Sequence, residues 1–175
     1  MRVQPNRMAE GHELTTWQWL PRPREDVFAF FSDARNLQQI TPAFLKFRVL
    51  TPDAIPMRAG ALIDYRLSLR GLPLRWRTEI TAWDPPVRFV DVQLRGPYAE
   101  WVHTHTFEDE EGGTRVHDVV RYRLPGPSVI TRIVNTLMVA PHTTRIFEYR
   151  HRAIEDIFDL RGQSRMGPVI IRRAS

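Results

Sequence analysis

Two histidines two positions apart offer the most direct chemistry in this sequence. His103 and His105 lie in a segment that alternates like a β-strand, so both imidazoles project from one face, together with Trp101 and Phe107. The aromatic neighbours indicate that this face looks inward. An imidazole in an apolar interior can transfer a proton, orient a ligand or bind a metal ion.

Polar side chains on other strands can join the two imidazoles. On the last predicted strand, the face with more apolar side chains carries Asp118 and Tyr122, so both are expected to point into the core region. The same alternation places Tyr65, Trp76 and Thr78 on the inward face of earlier strands. The sequence therefore predicts one polar cluster in an otherwise apolar interior.

The register of the strand before the histidines is open. Asp91 and Gln93 alternate there with apolar residues. A four-residue turn would pair Val90 with His103, whereas a five-residue turn would pair Phe89 with His103. Spacing alone therefore does not say whether the carboxylate of this strand points toward the imidazoles.

Three interpretations of the cluster remain open. Its groups can satisfy one another in a buried hydrogen-bond network, since a buried polar atom without a partner costs about 1–3 kcal/mol. They can instead orient the hydroxyl, carbonyl or carboxylate of a ligand whose apolar body packs against aromatic side chains. Finally, a His–Asp pair can perform the acid–base catalysis that a cyclase or dehydratase needs.

A metal site is a weaker hypothesis. The two imidazoles, with the carboxylate of Asp91 or Asp118, would supply three ligands of types that zinc accepts. However, the sequence has no second close histidine pair, and His117 and His142 are predicted on other surfaces. We therefore expect no metal and no cofactor.

The strands and helices that position these residues can be predicted from the spacing of apolar residues along the sequence. Residues 13–20 alternate like a strand, and the prolines and acids that follow start a helical region with a break at Ser32-Asp33, which predicts two short helices. Helical period returns at residues 129–139 and in a long amphipathic segment at 141–160. Between them, segments divided by Gly and Pro turns predict an antiparallel meander of six strands. These strands are residues 47–50, 61–70, 74–82, 88–94, 100–108 and 114–124.

Composition limits the function classes. The 175 residues suit one domain, and 42% of them are apolar, enough for a core. Because there is no cysteine, disulfides, thiolate zinc sites and cysteine nucleophiles are excluded. The net charge of +5 is spread without a run of like charges, which argues against nucleic-acid binding. No signal peptide or membrane-spanning apolar run is recognisable, so we expect a cytoplasmic protein.

Two surface features concern partners. Arg66, Arg70, Arg75 and Arg77 alternate on the outward face of one hairpin, as a solvated face or as a docking strip for an acidic partner or an anionic lipid surface. If the strip docks a protein, association should be salt-sensitive and should disappear when the first three arginines are replaced by Glu. Residues 129–139 are more apolar than a surface helix should be, so they close a cavity or form a homodimer contact.

The order of elements and several local strings resemble those of the START-like, or SRPBCC, helix-grip superfamily over residues 12–160. Within it, the sequence is most similar to the bacterial cyclase/dehydrase-like or ligand-binding branch. The strings that carry the resemblance are Trp19-Leu20-Pro21-Arg22-Pro23, Val27-Phe28-Ala29-Phe30-Phe31, Asn36-Leu37, Ile40-Thr41-Pro42, Ile63-Asp64-Tyr65, Trp76-Arg77-Thr78, Phe89-Val90-Asp91-Val92-Gln93, Gly96-Pro97-Tyr98, Trp101-x-His103-x-His105-x-Phe107 and Tyr122-Arg123-Leu124-Pro125.

Element order and resemblance together predict an α+β helix-grip fold. A curved antiparallel sheet of about seven strands would surround a long C-terminal helix, with two short helices after the first strand. The domain would span 12–161, between a flexible N-terminus at 1–11 and a flexible tail at 162–175. The resemblance implies a cavity for lipids, polyketides or other amphipathic molecules, with Asp91 and Gln93 beside the histidines. It does not imply catalysis, since members range from carriers to cyclases.

The prediction is a non-catalytic or weakly catalytic protein that binds a small hydrophobic or amphipathic ligand, such as a lipid, polyketide or aromatic metabolite. One alternative is a polyketide cyclase/dehydratase-type enzyme whose candidate catalytic residues are Asp91, His103, His105 and Asp118. The other is a protein-interaction module that uses the basic sheet face. The predicted ligand-binding residues are Tyr65, Trp76, Asp91, Gln93, Trp101, His103, His105, Phe107, Asp118, Tyr122 and Phe147.

Overall fold

Alternating apolar and polar side chains give this chain one curved antiparallel sheet. The computed structural model describes residues 11–52, 55–69 and 71–174. The strands are β1 (His12–Leu20), β2 (Arg48–Val49), β3 (Leu62–Leu69), β4 (Leu72–Asp84), β5 (Arg88–Arg95), β6 (Glu100–Glu110), β7 (Gly113–Arg123), β8 (Arg165–Met166) and β9 (Ile170–Arg173). Their order is β2-β3-β4-β5-β6-β7-β1-β8, and β9 also pairs with β1.

The predicted meander is confirmed. All seven predicted strands are present, and β2 to β7 follow one another through the sheet. Gly71 and Gly112 adopt φ angles of +84° and +75° in the β3–β4 and β6–β7 turns. Side chains other than hydrogen are strained in this region, so glycine allows both hairpins to turn tightly.

The helices lie at the two ends of the meander. α1 (Arg24–Ser32) follows β1, and two 3₁₀ turns at Asn36–Gln38 and Ala43–Leu45 follow α1. After β7 come α2 (Ser128–Val134), a π-helical segment (Asn135–Val139) and α3 (Ala140–Ile157). The chain was expected to restart its helix at Pro141. Instead the π turn lies directly before this proline, where the missing N–H interrupts α-helical bonding, and the helix continues.

The long helix packs on the sheet through its apolar stripe. Phe147 of α3 belongs to a buried cluster with Leu14 and Val120, which are contributed by β1 and β7. About two helical turns further on, Ile154 joins a second cluster with Phe107 of β6. The sheet therefore grips α3 at two levels, as the helix-grip prediction requires. Among the described residues, no helix is long and apolar enough to cross a membrane.

The tail after α3 differs from the prediction of a flexible segment at 162–175. Both β8 and β9 pair with β1, and Val169 and Ile171 pack against the cluster that holds Phe147. Residues 170–173 are therefore part of the sheet. An edge strand of four residues is held mainly by main-chain hydrogen bonds, which leave no periodic pattern in the sequence. The N-terminal segment predicted to be flexible lies, up to residue 10, outside the described residues.

The basic sheet face is only partly as predicted. Arg66 lies opposite Arg75 on one side and Arg48 on the other, so three exposed arginines form one cross-strand row. Arg77 instead donates two hydrogen bonds of 2.8 Å to Asp64. Residue 70 lies outside the described part of the chain. Docking through this row stays a prediction.

Candidate functional site

A cavity of about 210 Å³ is lined by strands β3 to β6, by α1 and the segment that follows it, and by α3. Most of its wall is apolar, with Phe30 from α1, Ile63 from β3, Trp76 from β4 and Ile146 from α3 among the lining residues. One water molecule needs only about 10–15 Å³ of such space. The cavity is therefore large enough for a small organic molecule.

Four side chains form what we call the polar cluster: Asp91, His103, His105 and Asp118. Asp91 of β5 lies opposite His103 of β6, and His105 lies opposite Asp118 of β7. His103 Nε2 lies 2.9 Å from Asp118 Oδ1 in a hydrogen bond, and His105 Nδ1 lies 2.8 Å from the same oxygen at a less favourable angle. Asp91 Oδ2 lies 3.6 Å from His103 Nδ1 and 3.4 Å from His105 Nε2. Each imidazole thus lies between two carboxylates.

Aromatic packing fixes the two imidazoles. The His105 ring stacks on Phe89 at 4.2 Å between centroids, and the Phe31 ring meets it edge-on at 6.2 Å. The His103 ring meets Phe147 of α3 edge-on at 5.7 Å. The imidazole centroids are 3.8 Å apart. Rings confined on this many sides keep their nitrogens aimed at the carboxylates.

Burial and neighbouring charges shift the pKa values of the cluster residues in different directions. Burial, with help from the nearby His105, lowers the pKa of His103. Burial also disfavours the charged form of His105, but the Asp118 and Asp91 carboxylates raise its pKa overall. Burial opposes ionisation of Asp118, yet the charge of His105 and the bonds from both imidazoles hold its pKa well below the ordinary value. Asp118 is therefore the permanent anion, and His105 is the imidazole that takes up a proton first.

Arg150 is a buried cation in the same wall. Its guanidinium lies over the Phe147 ring, 4.8 Å from the centroid. Burial lowers its pKa, and the carboxylates of Asp118 and Asp91 oppose that shift. Its Nε has no hydrogen-bond partner among the residues that the structure describes. Because a guanidinium keeps its charge and Arg150 lines the cavity, this cation can attract an acidic or carbonyl oxygen bound there.

Seven of the eleven predicted ligand-binding residues line the cavity. They come from β3 to β6 and α3, and those on β3, β4 and β6 were turned inward by the alternation pattern. These residues are Tyr65, Trp76, Asp91, Trp101, His103, His105 and Phe147. Burial raises the pKa of Tyr65, so its hydroxyl stays neutral in the wall.

The other four lie away from the cavity wall, each for its own reason. Gln93 donates to the carbonyl oxygen of Tyr98 at 2.8 Å and braces the β5–β6 turn. Phe107 is fully buried in the core cluster between β6 and α1. Asp118 lies behind the imidazoles, and the Tyr122 hydroxyl donates to Asn135 Oδ1 at 2.7 Å. Alternation put Phe107, Asp118 and Tyr122 on the inward face, and the family resemblance implied the same for Gln93, but an inward side chain can end in the core instead of the cavity.

The register of β5 pairs neither Val90 nor Phe89 with His103, the two pairings expected for a four- or five-residue turn. The β5–β6 ladder ends at the pair Val92 and Val102, so residues 93–101 lie outside it, although β5 continues to Arg95 beside β4; His103 therefore faces Asp91. Two hydrogen bonds between the Gln93 side-chain amide and the Tyr98 backbone stabilise this segment. The placement of Asp91 beside the histidines agrees with the pattern that the family resemblance implied.

Sequence reasoning did not assign a role to Arg150 or Tyr98, which also line the cavity, and its placement of His142 on another surface was wrong, because His142 lines the cavity too. The signal for Arg150 was an arginine within the apolar stripe of α3. A charged side chain in such a stripe is rarely buried unless a partner awaits it. Tyr98 lies in the turn that the sequence could not register, and burial raises its pKa to about 12.

Residues 129–139 do not close the cavity. None of them is part of its wall, and Val129 and Leu137 are 68% and 71% exposed. The homodimer expected from this apolar surface stays a prediction.

One group of side chains in the described chain has metal-binding chemistry. The ligand atoms of Asp91, His103 and His105 all lie within 4.8 Å of one another, and all three residues face the cavity. Two imidazoles and one carboxylate form a ligand set that zinc and other first-row transition metals accept.

Comparisons with known proteins agree with this architecture. Residues 20–141 match the model of a family described as polyketide cyclase / dehydrase and lipid transport. No match was found among curated proteins. Ms6760 from Mycobacterium smegmatis is 20% identical, with a TM-score of 0.61 over 85% of this chain and 91% of that chain. TTHA0849 from Thermus thermophilus is 22% identical, with a TM-score of 0.59 over 82% of this chain and 94% of that chain.

A plant protein shares the same fold. Major latex-like protein 151 from Panax ginseng is 13% identical, with a TM-score of 0.61 over 82% of this chain and 95% of that chain. At these identities the solved structures establish the fold alone, whereas the family model covers well over half of the chain. The chain therefore belongs to the polyketide cyclase / dehydrase and lipid transport family, and its fold is that of the START-like, or SRPBCC, helix-grip superfamily.

Proposed function

We propose that the protein binds one small amphipathic ligand in the cavity, with the acidic or carbonyl end of the ligand at the polar cluster. The observation that carries this proposal is the contrast between apolar and polar side chains in the cavity wall. Most of the lining is apolar, whereas Asp91, His103, His105 and Arg150 bring charge and hydrogen-bonding groups to it. An apolar pocket with a few convergent polar groups is the usual form of a small-molecule site.

The buried charge of Arg150 supports the chemical class of the ligand. A buried guanidinium is destabilising unless an acceptor reaches it, and Arg150 lines the cavity. A carboxylate, phenolate or carbonyl oxygen would supply that acceptor, and the aromatic wall formed by Trp76, Tyr98 and Trp101 would pack against the apolar body. Fatty acids and aromatic polyketides both have this chemistry.

Filling part of the cavity should weaken ligand binding without unfolding the protein. The probe is 8-anilinonaphthalene-1-sulfonate, an amphipathic anion whose fluorescence rises in apolar surroundings. The wild-type chain should bind it saturably, and Ile146→Trp should weaken binding about tenfold or more, which corresponds to about 1.4 kcal/mol, because Ile146 lines the cavity. Fluorescence titration gives the Kd.

A matched control adds the same indole elsewhere. Leu137 is 71% exposed and lies outside the cavity wall, so Leu137→Trp should leave the Kd unchanged. Equal Kd values for the wild type and Ile146→Trp would show that the probe binds the exposed apolar surface, which contradicts the proposal. Independently of the probe, native mass spectrometry of protein purified from its own host would identify a natural ligand directly.

Arg150→Met should distinguish a charged ligand from an apolar one. Methionine keeps most of the apolar stem but removes the cation, so binding of the sulfonate probe should weaken about tenfold, as expected for loss of a charge-assisted hydrogen bond. Binding of N-phenyl-1-naphthylamine, which lacks the sulfonate, should change less than about twofold. Equal weakening of both probes would indicate a packing defect and contradict the role of the guanidinium.

Acid–base catalysis is a second candidate, favoured by one observation. His103 and His105 contact the Asp118 carboxylate and also face the cavity, as a general acid or base must. In a dehydration, one imidazole would remove the proton next to a carbonyl, and a protonated group would return a proton to the departing hydroxyl, releasing water. The neutral His103 and the more basic His105 suit these two roles.

A thioester substrate mimic tests this candidate. A β-hydroxyacyl N-acetylcysteamine thioester would gain absorbance on conversion to the α,β-unsaturated product. His103→Gln should slow turnover about 10²–10⁴-fold, the usual contribution of a general acid or base. The Kd for the sulfonate probe separates lost catalysis from lost binding. No turnover by the wild type, together with normal probe binding, would favour the binding protein over the enzyme.

A further inference from the structure

We propose that Asp91 Oδ2, His103 Nδ1 and His105 Nε2 bind a divalent transition-metal ion, with Zn²⁺ the best fit, in the wall of the cavity. The proposal goes beyond binding of an organic ligand. It shares that cavity but needs no organic molecule, so either proposal can fail while the other holds.

The distances fit metal ligands better than hydrogen bonds. Asp91 Oδ2 lies 3.6 Å from His103 Nδ1 and 3.4 Å from His105 Nε2. A charge-assisted N–H···O bond prefers about 2.7–2.9 Å. Ligands at about 2.0–2.1 Å from a tetrahedral ion are separated by about 3.3 Å, whereas neighbouring ligands of an octahedral ion at that bond length are separated by only about 2.9 Å. The two oxygen–nitrogen separations therefore fit tetrahedral coordination better than octahedral coordination, and the two nitrogens lie within 4.8 Å of each other.

Protons cannot satisfy both rings at once. Each imidazole lies between the Asp118 and Asp91 carboxylates, but a neutral imidazole carries only one N–H. One nitrogen of each ring therefore directs a lone pair at a carboxylate. Protonating both rings would place two cations 3.8 Å apart between centroids. A single divalent ion removes the conflict for both nitrogens and for the Asp91 oxygen.

Asp118 is placed as an outer partner of such a site. Its Oδ1 lies 2.9 Å from His103 Nε2 and 2.8 Å from His105 Nδ1, the two nitrogens that face away from Asp91. A carboxylate in this position directs the proton of each ring away from the metal and makes the ligand nitrogens more basic. Both imidazoles are thus oriented by one buried anion.

The charges leave room for the ion and for one anionic ligand. Asp91 and Asp118 contribute two negative charges, and Arg150 contributes one positive charge that interacts electrostatically with both carboxylates. A divalent ion changes this balance from −1 to +1. A hydroxide, carboxylate or enolate in the fourth position would restore neutrality, and that position is open because all three ligand residues line the cavity. The site would therefore bind the acidic oxygen of the cavity ligand.

Calorimetric titration of the full chain with Zn²⁺, after removal of metals by a chelator and of any histidine tag, tests the site. We expect one ion per chain. Asp91→Asn and His105→Gln should each weaken binding at least about 100-fold, because loss of an outer partner alone costs about 10–100-fold. Asp118→Asn should fall within that smaller range. His117→Gln is the matched control, since His117 faces Glu108 on the opposite side of the sheet, and it should bind Zn²⁺ like the wild type.

Co²⁺ gives a readout that does not depend on the variants folding. Wild-type protein loaded with Co²⁺ should show the intense visible absorption of tetrahedral cobalt, and adding Zn²⁺ should remove it. Absence of stoichiometric Zn²⁺ binding, the weak absorption of octahedral cobalt, or equal affinity of Asp91→Asn and His117→Gln would each overturn the proposal. The sulfonate probe, titrated into metal-free protein, tests the organic ligand site separately.

Discussion

Replacing Phe107 by alanine is expected to lower the free energy of unfolding by about 3–5 kcal/mol, the usual loss for a buried phenylalanine. Its ring is fully buried and contacts Phe28 and Phe31 of α1 edge-on at 5.2 and 5.5 Å. Truncation would remove these contacts and leave a cavity that the packed sheet and helix cannot fully collapse to fill. Urea denaturation followed by circular dichroism measures the loss.

The control for this prediction is another phenylalanine. Phe44 is 44% exposed, so Phe44→Ala should cost less than about 1 kcal/mol. Phe107→Leu should retain the fold and bind the sulfonate probe with the wild-type Kd, because residue 107 does not reach the cavity. A stable Phe107→Ala variant that has lost probe binding would instead place this ring in the ligand wall, as the sequence suggested.

Phe107 illustrates what strand alternation can and cannot predict. Strands and hairpins of the meander were predictable, because period-two patterning and glycine turns are local properties of the sequence. Local sequence does not determine which of the inward-facing side chains reach the cavity. Phe107 and His105 share a face of β6, yet α1 covers the first and leaves the second open. Only the three-dimensional position of the helices decides between them.

The polar cluster was predictable to a similar extent. Alternation alone placed Asp118 behind the histidine pair, because β6 and β7 are joined by a tight hairpin with a regular register. Asp91 could not be placed by counting, because the β5–β6 connection is long and irregular. Arg150 comes from α3, distant in sequence, so no local pattern linked it to the carboxylates that it faces.

The second large effect is expected from Asp118→Asn. Asparagine keeps the shape of the side chain but removes the buried charge that both imidazoles contact. Removing one member of a buried charged network costs about 3–5 kcal/mol, and the amide retains part of the hydrogen bonding, so we expect a loss of about 3 kcal/mol. The measurement is urea denaturation at pH 7 in the presence of a chelator, so that metal binding does not contribute.

Asp91→Asn provides the comparison that assigns a role to the cluster. The Asp91 side chain is 18% exposed and lies 3.4–3.6 Å from the imidazoles, too far for strong hydrogen bonds. Its replacement should cost less than about 1 kcal/mol under the same conditions. Equal losses for the two variants would mean that both carboxylates serve a closed structural network. A large loss for Asp118→Asn and a small one for Asp91→Asn would mean that Asp118 maintains the fold, whereas Asp91 occupies the cavity wall with little benefit to stability and is free to bind an ion or a ligand.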